Sequence, residues 1–132
     1  MEKTKKPNIF FLLIDSFRAD KFYGKDKTSL TPNLDSLIKK GVYFTQTINS
    51  SPASTSAIAS VLTSKWPHKV IVRGKKNHVM SHDEPNFINR LNELGYNTTA
   101  LTPEYFNYAK LTTEFKKSRQ FNGGLNDGIG QQ

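Results

Sequence analysis

The chain has 132 residues, 36% hydrophobic and 11% aromatic, enough apolar material for one folded domain and too much for intrinsic disorder. It has no cysteine, which excludes a disulfide framework and any thiolate metal site. The formal net charge is +8, carried by scattered doublets such as Lys39-Lys40 and Lys116-Lys117 rather than by a basic stripe with interleaved aromatics, so the charge reads as solvated surface.

Residues 8–14 (Asn-Ile-Phe-Phe-Leu-Leu-Ile) are a short continuous apolar run after a lysine-rich lead-in. Continuous rather than alternating hydrophobicity predicts a strand buried on both faces, as in a parallel sheet covered by helices. Asp15 ends the run. It is too short for a secretory leader or for a membrane span of about 20 apolar residues, and a cytoplasmic location without a membrane span is expected. Ligands of open α/β sheets gather at the carboxyl ends of strands, which places Asp15 well for chemistry.

Residues 15–30 are polar and read as a loop. Thr31-Pro32 is a helix start, Leu34, Leu37 and Ile38 follow at helical spacing, and Gly41 is the stop. Residues 42–48, β-branched and aromatic, predict a second strand. After a turn at 49–53, Ser54 to Thr63 predicts a helix capped by Ser54 or Thr55. The stretch from Trp66 to about Asp83 is basic and irregular. A further helix opens at Asp83-Glu84-Pro85 and closes at Gly95, residues 97–102 are a third strand, and 104–119 are weakly helical. The tail, 122–132, holds four glycines and is expected to be disordered or cut from its context. The alternation of strands and helices is an α/β pattern. No helix-turn-helix, zinc or RNP-like pattern points to nucleic acid.

Three segments, in order, resemble the sulfatase/alkaline-phosphatase superfamily. They are Pro7-Asn8-Ile9-Phe10-Phe11-Leu12-Leu13-Ile14-Asp15; Thr31-Pro32-Asn33-Leu34 through Gly41-Val42-Tyr43-Phe44; and Ala59-Ser60-Val61-Leu62-Thr63-Ser64-Lys65-Trp66-Pro67-His68. The last stands where that superfamily often has Leu-Thr-Gly and Tyr-Pro-His. A weaker match runs from Leu91 to Thr98. The resemblance implies an alkaline-phosphatase-like three-layer sandwich, a mainly parallel sheet flanked by helices, of which residues 1–121 would be the N-terminal portion. It also implies a divalent metal ion (Ca, Mg, Mn or Zn) and a nucleophile attacking an anionic sulfate or phosphate ester.

Asp15 matches the first metal-ligand aspartate, and a hard cation prefers carboxylate oxygens. The nucleophile position falls on Ser54, with Thr55 adjacent and Ser50 the alternative if Pro52 sets the register. A serine opening a helix could attack while the helix N-terminus holds the anion; as a bland alternative it is only a cap.

The departures are specific. The window Ser54-Thr55-Ser56-Ala57-Ile58 lacks the proline and arginine of a formylglycine motif, and Thr102-Pro103-Glu104-Tyr105 lacks the superfamily's following lysine and histidine. An unmodified Ser or Thr nucleophile is therefore expected. One aspartate cannot hold a catalytic ion tightly. Asp20 would need its loop to fold back, Asp127 lies in the tail, and His68, His78 and His82 lack the spacing of a helical metal pair. The expected reading is an N-terminal segment of a metal-dependent ester hydrolase whose remaining C-terminal part is missing, with too few metal ligands of its own. The alternative is a non-catalytic, stand-alone module that binds an anionic partner.

Overall fold

The computed structural model describes residues 6–75 and 77–121; the expected tail at 122–132 lies outside them. The chain divides into two compact units, residues 1–47 and 48–132.

In the first unit, helix α1 spans Ala19–Phe22 and helix α2 spans Pro32–Lys40. Proline at the first position of α2 presets the helical φ where its missing N–H costs nothing. The Gly41 N–H closes the helix on the Leu37 carbonyl, yet Gly41 is extended rather than left-handed, so its freedom at positive φ is not used there. Lys27 Nζ lies 2.5 Å from both carboxylate oxygens of Asp35, clipping the preceding loop to the first turn of α2. The rings of Phe17, Phe22, Tyr23 and Tyr43 pack together, with Tyr23 and Tyr43 centroids 4.2 Å apart.

The strands expected at 8–14 and 42–48 do not form among the described residues. Phe10 is 87% exposed and Ile48, at the edge of the second run, 94%. A strand has no hydrogen bonds of its own: its N–H and C=O groups need a neighbouring strand. Apolar continuity marks a segment suited to a covered sheet, but it does not supply the neighbour.

The second unit holds the buried core. Helix α3 spans Ser54–Thr63, α4 Pro67–Val70 and α5 Phe87–Glu93. Strands β1 (Ile71–Arg73) and β2 (His78–Met80) form an antiparallel hairpin where irregular chain was expected. Gly74 makes its turn possible: a Cβ there would meet the Asn77 carbonyl oxygen at 2.7 Å. Strand β3 (Thr99–Pro103) runs parallel to β4 (Lys117–Phe121), with α6 (Tyr105–Tyr108) between them. The weakly helical stretch expected at 104–119 is therefore one helical turn followed by turns and the start of a strand. Polar alternation in Lys117–Phe121 gives no apolar face to read, and its pairing with β3 makes it a strand.

The architecture is α/β, but its strands form two separate pairs rather than one mainly parallel sheet. The core joins Ile58, Ala59 and Leu62 of α3 to Val70, Met80, Ile88, Ala109 and Leu111. Buried Thr98 ties three elements together: its hydroxyl donates to Asn92 Oδ1 (2.7 Å) and accepts from the Lys116 N–H (3.1 Å). The opening of α5 falls at Asn86, not at Asp83. There Asn86 and Asn89 form a reciprocal capping box, each side chain accepting from the other's backbone N–H.

Candidate functional site

Ser54 is the first helical residue of α3, and its N-cap is Ala53. The cap role expected for Ser54 or Thr55 is thus not the one they take, because the extended backbone ends one residue earlier. Alanine offers no side-chain acceptor, so the N-cap residue itself makes no side-chain capping bond. The first N–H groups of any α-helix lack intrahelical partners and carry the positive end of its dipole. Ser54 and Thr55 therefore share a ten-residue helix's N-terminal turn, which is suited to an anion. Ser50, the other candidate, lies in the loop before it.

That turn forms one wall of a cleft of about 750 Å³. Ala53, Thr55 and Ser56 line this wall, and Ser54 is not among the lining residues. Pro67 and His68 of α4 and Ile71 of β1 line a second wall. Asn77 and His78 of the hairpin, Tyr105 and Tyr108 of α6 and its C-cap Ala109 complete it. The walls are held by backbone bonds: Ser81 N–H donates to the Val70 carbonyl (2.8 Å) and Met80 N–H to that of Ala109 (3.0 Å). The Tyr108 hydroxyl donates to Glu104 Oε1 (2.9 Å), and the carboxylate pushes its pKa above the usual phenol value.

His68 and His78 share this cleft although ten residues separate them in sequence. Helical spacing could not reveal the pair, since a helix and a hairpin bring the rings to one cavity. Tyr105 and Tyr108 carried no signal beyond the register that put Tyr105 at the end of the Thr102–Tyr105 window. His82 lies elsewhere, with Nδ1 3.2 Å from Glu114 Oε1.

Asp15 lies in the first unit, in the turn that follows the apolar run; its Oδ1 accepts from the Ser16 N–H at 3.0 Å. Both oxygens of Asp20 accept from the Arg18 guanidinium, at 3.0 and 2.8 Å, and this pairing holds the Asp20 carboxyl below its usual pKa. Asp20 is thus engaged by a cation. Among the described residues no group of three or more His, Asp or Glu side chains could hold a metal ion. The donor set described here does not by itself fit a divalent cation, for which Asp15 would be a single ligand.

Residues 7–130 match the sulfatase family, and the chain belongs to it. It is 39% identical over 67 residues to an ulvan-active sulfatase of Formosa agariphila, an alignment covering 50% of this chain and 13% of that protein. It is 28% identical over 102 residues to an N-acetylglucosamine-6-O-sulfatase of Bacteroides thetaiotaomicron, covering 76% of this chain and 18% of that protein. The chain thus spans less than a fifth of the length of either relative. No solved structure matches it. No described helix is long and apolar enough to cross a membrane.

Proposed function

We propose that the chain carries the nucleophile-bearing segment of a sulfate-ester hydrolase built on the alkaline-phosphatase-like three-layer sandwich. Ser54 is the nucleophile and Asp15 one ligand of a divalent metal ion. The observation that supports the reading best is the place of Ser54 at the first position of α3, where the N-cap residue Ala53 makes no side-chain capping bond. A sulfate or phosphate group drawn to that turn would meet the Ser54 hydroxyl and the positive end of the helix dipole together.

The chemistry is a double displacement. Ser54 Oγ loses its proton and bonds to the sulfur of a sulfate monoester, and the ester oxygen leaves as the alcohol. Water then displaces Ser54, releasing inorganic sulfate and restoring the hydroxyl. The missing proline and arginine of the formylglycine motif favour the unmodified serine. A metal ion, when bound, would polarise the ester oxygens.

Mass spectrometry of the protein after incubation with a sulfated monosaccharide and divalent cations tests this. A covalent sulfo group on Ser54, absent from Ser54→Ala, is the expected result. A group on Thr55 or Ser50 would reassign the nucleophile. No adduct, together with salt-sensitive binding of anionic polymers that Asp15→Ala leaves intact, would favour the non-catalytic module.

A further inference from the structure

We propose that the outward side of residues 66–75, which run through α4 and β1, is a docking surface for an anionic lipid membrane. The proposal is independent of the role of Ser54. Its first support is charge. Between Asp35 and Asp83 the sequence holds no acidic residue, so this stretch lacks the carboxylates that commonly neutralise surface lysines. Lys65 is engaged by Glu84. Lys69, Arg73 and Lys75 are exposed, and none of the three enters an ion pair among the described residues.

The second support is the way the segment is turned. Val70 is wholly buried in the core, and Pro67, His68 and Ile71 line the cleft. Trp66, Lys69 and Val72 do neither, and they recur at every third residue. The Lys69 N–H donates to the Trp66 carbonyl at 2.9 Å and closes the turn between them. Trp66 is 67% exposed and Val72 46%. Arg73 ends β1, and Lys75 follows one residue later in the hairpin turn.

This mixture selects the partner. A dissolved polyanion such as a nucleic acid is held through its phosphates by the cations, and gains nothing from an exposed valine. A bilayer surface uses both kinds of side chain. Anionic headgroups attract lysine and arginine, and the interface is the depth that suits the amphipathic indole ring. Binding there grows with apolar area buried and with charge attraction together. A bilayer of zwitterionic lipid would satisfy Trp66 and Val72 and leave the cations unused.

Trp66 is the sole tryptophan of the chain, so its emission reports on this segment alone. The full chain is mixed with vesicles of phosphatidylcholine, or of phosphatidylcholine and phosphatidylglycerol in equal parts. Co-sedimentation with the anionic vesicles and a blue shift of the emission are expected, with little of either on phosphatidylcholine alone. Lys69→Gln with Arg73→Gln should weaken partitioning about thirtyfold, the scale of two cations near an anionic leaflet. Lys39→Gln with Lys40→Gln removes the same charge from exposed positions on α2 and should weaken it far less. Equal losses in the two double variants would overturn the proposal, as would binding without an emission shift, equal binding to both vesicles, or none. The same blue shift with single-stranded DNA would also overturn it, in favour of a dissolved polyanion.

Discussion

The backbone N–H of Met80 donates to the carbonyl of Ala109 over 3.0 Å, tying the strand that carries His78 to the helix that carries Tyr105 and Tyr108. Met80 is itself 1% exposed and packs in the hydrophobic core of the second unit. Met80→Ala keeps the backbone bond but empties a methionine-sized space, and should cost about 2–5 kcal/mol in urea unfolding. Met80→Leu, which nearly conserves volume, should cost under about 1.5 kcal/mol. A loss with alanine no larger than with leucine would mean that the core does not close around this side chain.

Asn86 accepts from the N–H groups of Ile88 (2.9 Å) and Asn89 (3.2 Å) at the start of α5. Asn86→Ala leaves both donors without their partner and should destabilise the second unit by about 1 kcal/mol. Asn86→Asp keeps the acceptor and adds a charge that the helix dipole favours, so its midpoint should stay near that of the parent. Denaturation of the two variants side by side checks this pair of outcomes.

Ser64 ends α3 in the left-handed region, at φ 57° and ψ 26°, with its N–H on the Ser60 carbonyl at 2.8 Å. A side chain with a Cβ is strained there by about 1–2 kcal/mol. Ser64→Gly should therefore raise stability, by about 0.5–1 kcal/mol after glycine's greater freedom in the unfolded chain is deducted. A fall in melting temperature would show that the Ser64 side chain contributes more than its strain removes.

The carboxyl of Asp35 titrates below its usual range, chiefly through its hydrogen bonds from the Lys27 ammonium. A carboxyl lowered in the folded state adds stability above its unfolded pKa of about 3.9. That contribution is lost as the pH falls through the folded value. Carboxyl-carbon NMR should show the Asp35 midpoint move up in Lys27→Met, while Asp20, held by Arg18, stays where it was.

Helices with a complete local signal were legible in the residues. Pro32 to Lys40 and Ser54 to Thr63 form as expected, because a helix closes its own hydrogen bonds and its limits are set by prolines, caps and turns. The extended runs were not. Residues 8–14 have the composition of a covered strand and stand exposed, whereas Lys117–Phe121 lacks any apolar face and pairs with β3.

The same distinction separates the parts of the site. Sequence alone placed Ser54 and Thr55 on the first turn of a helix, and the matching segments marked the sulfatase family, since both depend on residues close together in the chain. Only the tertiary structure joined His68 to His78 and set Tyr105 and Tyr108 around the same cleft. A hairpin turning on Gly74 and a backbone bond from Met80 to Ala109 made that arrangement. Such long-range pairings have no period in the sequence, because they are fixed by the shape of the packed core.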